Sequence, residues 1–516
     1  MADISAGNEL IKALRQHPFW ACMALGAISA LALPPVDAWP VLFVTVPLLL
    51  LVLEVEAPSS LLRRLILGWV LGFGYLLAAL HWIAFAFFVD AARDLWMMPF
   101  ALGGLSAFLA LFWAAAVALG TSAARRSFPL WLGLPLAFAI LEWLRGNILT
   151  GFPWAVFGQA TDGMGGVEQL ASLVGMTSLT LLMWLWPSCL VAIWRAPGRQ
   201  RLAAIAILAT LPAGFAWGTW RLASNPTQYV DGVMLRLVQP NISQSDKWRE
   251  GNARAIFDQL KQLTAAPPST GMPVTHIIWP ESSVPFLIDE SPAGQAELAA
   301  VLQPGQTVLA GAVRRSAPSN DANYFTSVLI MNDKAEVLNH YDKWHLVPGG
   351  EFLPMAWLLE PLGLRKVVSL PESFTAGKGP TTLPVPGAGD AGFSICYEAI
   401  FPAAVSDPAR RPQWLVNVTN DGWFGKSAGP YQHLAQLRLR AIELGLPVAR
   451  AANTGISAVI DSFGRETFTS QLGTTGAYDL LLPQAATATP YAVNADYILL
   501  VFLLFGILLG LLIKSG

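Results

Sequence analysis

An almost continuously apolar stretch, from Pro18 to Trp220, restricts the fold of this chain more than any other feature of its sequence. Only 13% of the 516 residues are charged, whereas a soluble domain carries about 25%. The deficit falls in this stretch and in a second one near the carboxyl end, because the residues between about Thr227 and Pro483 have an ordinary globular composition. A membrane-spanning helix needs ~20 mostly apolar residues. The two apolar stretches therefore predict a polytopic α-helical membrane domain.

We predict about eight transmembrane helices in these stretches. They divide the chain into a seven-helix membrane region (1–226), an inserted extramembrane domain (227–483) and a segment that carries the last helix (484–516). A short Pro-rich turn joins the first two helices. The predicted spans are Phe19–Leu33, Trp39–Leu53, Leu65–Phe88, Leu95–Leu119, Phe128–Trp143, Leu173–Trp194, Leu202–Trp217 and Ala492–Ile513.

The basic residues between the spans predict the orientation of the chain, because cytoplasmic loops carry an excess of Lys and Arg. With eight spans, the basic loops all fall on the side of the two termini, and the alternate loops are poor in basic residues. Both termini are therefore expected in the cytoplasm, and the inserted domain on the other side of the membrane. The basic residues are Lys12, Arg15, Arg63, Arg64, Arg125, Arg126, Arg195, Arg199, Arg201 and Lys514.

The inserted domain alternates short β-rich runs with two segments, 252–263 and 430–445, that have apolar residues at helical spacing. This alternation predicts a layered α/β domain. The formal net charge of -2 gives no indication of a nucleic-acid partner. The predicted strands are Val233–Gln239, Thr275–Pro280, Thr307–Val313, Thr326–Met331, Ala391–Tyr397, Trp414–Asn420, Pro447–Ala452 and Ser457–Ser462.

Four polar clusters lie at or near the ends of predicted strands, where loops carry chemistry on a rigid scaffold. A thiol needs a base or a positive field to become a nucleophile. One acidic residue could accept its proton, and a lysine could stabilise the oxyanion formed on attack at a carbonyl. The spacing alone leaves open whether the cysteine is a nucleophile or a core residue. The clusters hold Glu281; Lys343 and Glu351; Cys396, Tyr397 and Glu398; and Asn420, Asp421 and Trp423.

The four clusters together resemble those of the carbon–nitrogen hydrolase (nitrilase) superfamily. An inserted nitrilase-like domain before the last of about eight spans is similar to the apolipoprotein N-acyltransferases, as are "LVQPNISQSDKW", "LEWLRG" and "TGFPW". The resemblance implies an α-β-β-α sandwich and a catalytic set of Glu281, Lys343 and Cys396. We expect no cofactor, an oligomer is not implied, and the six histidines show no spacing typical of metal ligands.

The resemblance also implies a reaction. A fatty acyl chain would pass from a membrane phospholipid to Cys396 as a thioester, and then to the α-amino group of a diacylglyceryl-cysteine at the N-terminus of an apolipoprotein. Glu281 would transfer protons, Lys343 would stabilise the oxyanion and Glu351 would orient Lys343. Such an enzyme would work by a ping-pong scheme in the bacterial inner membrane, with its catalytic domain in the periplasm.

Roles are also predicted for residues outside the proposed catalytic set. The resemblance implies that Tyr397 and Glu398 shape the pocket and that Trp248 belongs to a mobile loop near the lipid entrance. Asn420 and Trp423 could form the pocket wall or serve only the local turn. Charges in membrane helices are usually functional, so Glu142 and Arg145 could contact substrate or simply pair with each other. Aromatic residues expected to anchor at the membrane interface are Trp82, Phe87, Phe88, Trp96 and Trp154.

Two other functions remain open at this point. A membrane-anchored amidase of the nitrilase type would use the same triad but would let water resolve the thioester. A lipid-binding or transport component without enzymatic activity would not depend on Cys396. The product of the reaction distinguishes the first of these from an acyltransferase, and substitution of Cys396 tests the second.

Overall fold

The computed structural model describes residues 9, 11–249, 251–317, 323–353, 356–362, 374–402, 405–407 and 409–514. The chain forms two compact units. The helical unit comprises 1–81, 98–226 and 488–516, and the sandwich unit comprises 82–97 and 227–487.

The α-helices of the described residues are numbered here in chain order. They are α1 (Pro18–Ser29), α2 (Leu42–Glu56), α3 (Leu61–Ala79), α4 (Ala91–Asp94), α5 (Met98–Ala124), α6 (Leu130–Asn147), α7 (Ala171–Arg195), α8 (Gly198–Ser224), α9 (Gln244–Lys247), α10 (Ala253–Thr264), α11 (Pro292–Ala299), α12 (Ala356–Leu359), α13 (Gly429–Leu444) and α14 (Pro490–Leu512).

Five helical stretches in the described residues are long and apolar enough to cross a membrane. Two shorter apolar helices, Pro18–Ala32 and Tyr497–Leu512, lie near the two ends of the chain. The described residues thus contain five candidate membrane helices, as expected for a helical membrane domain, and the number of eight spans stays a prediction. The five stretches are Trp39–Glu56, Leu61–Ala79, Ala91–Ala124, Phe157–Arg195 and Gly198–Ser224.

Small residues allow helices of the helical unit to approach closely. Gly68 of α3 faces α5, where a Cβ added to Gly68 would lie 2.7 Å from the carbonyl oxygen of Trp113. Buried aromatic rings fill the space beside this contact, and Trp113 stacks on Tyr75 with a centroid separation of 4.7 Å. Close backbone approach at small residues is the usual way in which helices associate in membranes.

The predicted span Leu65–Phe88 is wrong in its last third. Helix α3 ends at Ala79, and His81–Phe88 forms a separate 3-10 helix. Trp82 Nε1 donates to Gln432 Oε1 at 3.1 Å, and the Trp82 ring lies 4.5 Å from that of Phe424, both in the sandwich unit. The apolar residues after α3 therefore pack on protein. For the same reason, the prediction of interface anchors is wrong for Trp82 and Phe87, and Trp154 is likewise buried within the helical unit.

The sandwich unit contains two six-stranded sheets. The strands of the described residues are β1 (Tyr229–Gln239), β2 (His276–Trp279), β3 (Thr307–Arg315), β4 (Tyr324–Met331), β5 (Val337–Asp342), β6 (Thr382–Val385), β7 (Gly389–Ile395), β8 (Trp414–Thr419), β9 (Val448–Ala452), β10 (Ala458–Ile460), β11 (Glu466–Thr469) and β12 (Gly476–Pro483).

The two sheets have the orders β12-β1-β2-β3-β4-β5 and β11-β10-β9-β8-β7-β6. Side chains of both sheets share one buried cluster, for example Ile278 of the first sheet and Val416 of the second. A second cluster joins the first sheet to α10 and α11, through Phe257 and Leu298 among others. The predicted two-sheet α/β sandwich is confirmed.

The parallel strands bring the predicted site residues to the ends of the sheets. β1, β2 and β3 run parallel in one sheet, and β7, β8 and β9 run parallel in the other. Glu281 follows β2, and Cys396 follows β7 directly. The predicted strand Ala391–Tyr397 is two residues too long, because the chain turns into a 3-10 helix, Cys396–Ile400, as soon as β7 ends.

Candidate active site

Cys396 lies at a sharp turn between β7 and the 3-10 helix that follows. It is buried, and its φ of 48° places the backbone in the left-handed region. That conformation costs a residue other than glycine ~1–3 kcal/mol, and it persists only where the surroundings enforce it.

The buried carboxylate of Glu398 holds this turn through hydrogen bonds. Its Oε2 accepts hydrogen bonds from the backbone N–H of Ile395 at 2.7 Å and from the hydroxyl of Tyr341 at 2.9 Å. Its Oε1 accepts from the backbone N–H of Trp344 at 2.8 Å and of His345 at 3.2 Å. Burial raises the pKa of Glu398 to about 7 although these donors favour the ionised form. Glu398 therefore joins the cysteine turn to the loop that carries Lys343.

Lys343, Glu281 and Glu351 form a buried ion cluster. Lys343 Nζ lies 2.8 Å from Glu351 Oε1 and 3.4 Å from Glu281 Oε1. Glu351 Oε2 accepts from the backbone N–H of Val347 at 2.8 Å, which fixes the carboxylate in its loop. The ammonium group is thus held between two carboxylates from separate segments of the chain.

The charges of this cluster set the protonation states of the site. Burial opposes the charge on Lys343, but Glu351 and Glu281 outweigh it and raise the pKa of the lysine well above its usual value. Burial, together with the neighbouring Glu281, raises the pKa of the Cys396 thiol, and Lys343 offsets only part of this effect. Burial also raises the pKa of Glu351. The second carboxyl group at the same ammonium, that of Glu281, acts in the same direction. The resting site therefore holds a charged lysine and a neutral thiol.

A second buried lysine, Lys247, was not predicted from the sequence. Its side chain is buried at the end of α9, and its Nζ donates to the backbone carbonyl of Glu281 at 3.1 Å. Burial lowers the pKa of Lys247 to about 8, although Glu281 and Cys396 act against this shift. Its only signal in the sequence is its position just before Trp248, in the segment "SQSDKW".

The other predicted residues of the sandwich unit have varied surroundings. Tyr397 is buried, with its ring 5.2 Å from that of Phe401. Trp248 is 40% exposed, next to Lys247. Asn420 is buried and holds neighbouring segments together, since its Nδ2 donates to Gln244 Oε1 at 2.7 Å. Trp423 is half-buried in the 3-10 helix Asp421–Phe424.

Among the described residues, no group of three or more His, Cys, Asp or Glu side chains could hold a metal ion.

Comparison with known proteins identifies the family. The description "Apolipoprotein N-acyltransferase N-terminal domain" matches residues 25–190, and "Carbon-nitrogen hydrolase" matches residues 234–480. The chain is 40% identical to the apolipoprotein N-acyltransferase of Rhodopseudomonas palustris, over 90% of each chain. It is 41% identical to that of Bradyrhizobium diazoefficiens, over 94% of this chain and 93% of the relative. The chain belongs to the apolipoprotein N-acyltransferase family.

A solved structure, that of the nitrilase-superfamily protein Nit3 from Saccharomyces cerevisiae, covers 51% of this chain at 15% identity with a TM-score of 0.36. The assignment to the apolipoprotein N-acyltransferases rests on the sequence relatives. They are bacterial proteins, and the apolar helices of this chain are those of a membrane protein.

In the region matched by the N-terminal domain of the apolipoprotein N-acyltransferases, Glu142 and Arg145 of α6 form a buried ion pair. Arg145 Nη1 also donates to the carbonyl oxygens of Phe152 at 2.7 Å and Trp154 at 2.9 Å. The indole N–H of Trp113 donates to Glu142. These contacts join α6 to α5 and to the loop after α6. A contact between this pair and substrate stays a prediction.

Proposed function

We propose that this chain transfers a fatty acyl group from a membrane phospholipid, through a thioester on Cys396, to the α-amino group of the N-terminal diacylglyceryl-cysteine of apolipoproteins. The observation that carries the proposal is the buried cluster of Glu281, Lys343 and Glu351, which lies in the same unit as the left-handed turn at Cys396. Family membership supports the choice of substrates.

In the first stage, the thiol of Cys396 attacks the ester carbonyl of the phospholipid. Because this thiol is neutral at rest, its proton must leave as the sulfur–carbon bond forms, and Glu281 accepts it. The ammonium of Lys343 stabilises the oxyanion, and Glu351 keeps that ammonium charged and in position. When the carbon–oxygen bond breaks, Glu281 returns the proton to the departing lysophospholipid.

In the second stage, the amine of the apolipoprotein attacks the thioester carbonyl. Glu281 accepts a proton from the amine, Lys343 again stabilises the oxyanion, and the thiolate leaves and is reprotonated. A thioester suits this task because it is reactive toward amines, and a buried site protects it from water. Since the first product leaves before the acceptor reacts, the scheme is ping-pong.

The proposal includes the arrangement in the membrane. About eight helices span the bacterial inner membrane, both termini are cytoplasmic, and the domain 227–483 faces the periplasm between the seven-helix region 1–226 and the last helix in 484–516. The basic loops support this orientation. Tyr397 lines the acyl pocket, Trp248 gates lipid access, and Asn420 and Trp423 belong to the pocket wall. No cofactor takes part.

An alternative with the same residues is an amidase that lets water resolve the thioester. It predicts free fatty acid as the product when an amine acceptor is present, whereas an acyltransferase yields the acylated amine.

The test is intact-protein mass spectrometry of the full chain in micelles that contain phosphatidylethanolamine. We expect a fatty-acyl mass increment that hydroxylamine removes and that a diacylated lipopeptide discharges onto its own amine. The increment should be absent from Cys396→Ala and retained in Cys189→Ala, which removes a buried thiol of the helical unit. Wild-type protein without an adduct would refute the acyl-enzyme.

A further inference from the structure

A second cluster of buried polar side chains lies beside Cys396 and has no part in the reaction scheme above. Its members are Asp421, His433 and Arg450, each no more than 1% exposed. They come from three separate elements: the 3-10 helix Asp421–Phe424, helix α13 and strand β9. Burial of such groups is costly unless they are paired. Their contacts therefore indicate what the cluster does.

His433 connects this cluster to the main chain of Cys396. Its Nε2 lies 3.0 Å from the Cys396 carbonyl oxygen, and its Nδ1 lies 3.0 Å from Asp421 Oδ1 and 3.3 Å from Arg450 Nη2. A carbonyl oxygen can only accept, so Nε2 must carry a proton. Burial and the charge of Arg450 lower the pKa of His433. Nε2 of His433 therefore donates to the carbonyl oxygen of Cys396, the proposed nucleophile.

Asp421 is held in place by Arg450 and Thr419. Arg450 Nη2 donates to Asp421 Oδ2 at 2.6 Å, and the Thr419 hydroxyl donates to Asp421 Oδ1 at 3.0 Å. Burial opposes the charge of Asp421, but Arg450 and His433 lower its pKa to about 2. Asp421 in turn holds His433, because its Oδ1 lies 3.0 Å from His433 Nδ1.

We infer that Asp421, His433 and Thr419 form a positioning network that holds Cys396 in the orientation required for attack on the acyl donor. The left-handed backbone of Cys396 makes such a network necessary, because the surroundings must enforce it. Glu398 secures the peptide before the turn, through the N–H of Ile395. His433 secures the carbonyl after it. This inference rests on the proposed function, since it takes Cys396 as the nucleophile.

Three variants of the full chain test the carbonyl contact, in the same micelles. His433→Leu removes the donor, whereas His433→Gln carries an amide N–H that can replace Nε2. Gln436→Leu is the matched control, because Gln436 is also buried on α13 and its amide has no hydrogen-bond partner among the described residues. The rate of thioester formation and the thermal unfolding midpoint are measured for each.

We expect His433→Leu to form the thioester ~100-fold more slowly, since a displacement of about 1 Å has effects of this order. His433→Gln should recover to within roughly tenfold of wild type, and Gln436→Leu should match wild type. A merely structural role for His433 predicts instead that the rate follows the unfolding midpoint in all three. That result, or a wild-type rate in His433→Leu, would overturn the inference.

The hydrogen bond from Thr419 to Asp421 has its own test, which also serves if His433→Leu does not fold. Thr419→Ser keeps the hydroxyl and Thr419→Val removes it at nearly equal volume. We expect the valine variant to be acylated roughly tenfold more slowly than the serine variant, and equal rates would overturn the network. A wild-type protein that forms no thioester would refute the proposed function, so the two failures are distinguishable.

Discussion

In the candidate site, two carboxylates contact a single ammonium group, at different distances. Lys343 contacts Glu351 at 2.8 Å and Glu281 at 3.4 Å. The shorter contact ties the lysine to Glu351. This agrees with the proposed scheme, in which Glu351 supports the cation and Glu281 transfers the proton.

Replacement of Lys343 tests this division directly. We expect Lys343→Met to slow thioester formation by ~100-fold or more, because it removes the group that stabilises the oxyanion and leaves two carboxyl groups facing each other. Lys334→Met, at an exposed lysine of the same unit, is the control in the same acylation assay. Equal rates in the two variants would contradict the role of Lys343.

Lys247 makes stability depend on pH in a direction that can be predicted. Its pKa is about 8 in the folded protein and 10.5 ordinarily. Between these values the unfolded chain holds a proton that the folded protein has lost, so folding becomes more favourable as pH rises, by up to about 3 kcal/mol. Thermal unfolding midpoints of wild type and Lys247→Met, compared from pH 7.5 to 10.5, should diverge in favour of wild type.

The exposed lysine again supplies the control, since Lys334→Met should follow wild type across the same pH range. Parallel curves for wild type and Lys247→Met would show that Lys247 titrates as an ordinary lysine.

Residue types and motif order were enough to select Glu281, Lys343 and Cys396 as candidates. They could not select Lys247 or His433. A lysine before an exposed tryptophan and a histidine on an amphipathic helix have the same local pattern whether they face solvent or a buried site. What distinguishes them is burial against residues distant in the chain, Glu281 and Cys396.

At the scale of elements, a single carboxylate links the end of β7 to the loop after β5. Glu398 accepts four hydrogen bonds, from Tyr341, Trp344, His345 and Ile395. The loop after β5 carries Lys343, so the same carboxylate also fixes the position of the cation relative to the nucleophile. The two elements are thereby held together through one side chain.

Glu398→Gln should destabilise this link although it preserves the shape of the side chain. An amide has one oxygen, so its N–H group would face two of the four donors. Breaking hydrogen bonds to a buried charged group costs about 1.5–3 kcal/mol. We expect a lower thermal unfolding midpoint than in Glu336→Gln, whose glutamate is exposed. Equal midpoints would mean that Glu398 contributes little to the turn.

The strands predicted from the sequence are those with continuous or alternating apolar residues, such as β2 and β8, which are buried along their whole length. β5, β6, β11 and β12 were missed because at least half of the residues in each are exposed or half-buried. They form the outer strands of their sheets, where only one neighbour specifies the pairing. Apolar periodicity indicates a strand only where the strand buries apolar side chains. Outer strands bury fewer of them and are therefore harder to predict from the sequence.

At the scale of the whole molecule, the proposed orientation predicts which sites a membrane-impermeant maleimide can reach. Lys334→Cys in the sandwich unit should react in intact spheroplasts, whereas Arg125→Cys, in the exposed loop after α5, should react only after lysis. The three native cysteines are buried and leave a low background. The reverse pattern would contradict a periplasmic catalytic domain.

The segment Trp82–Met97 belongs to the sandwich unit, so this unit is not one continuous stretch of the sequence. The segment lies in the sequence between α3 and α5, but Trp82 contacts Gln432 and Phe424. A fragment cut out at 227–483 would therefore lack part of its own fold and expose an apolar surface. We expect such a fragment to aggregate and to regain solubility when 82–97 is fused to it. Any exchange of catalytic domains between relatives would have to carry this distant piece of chain along.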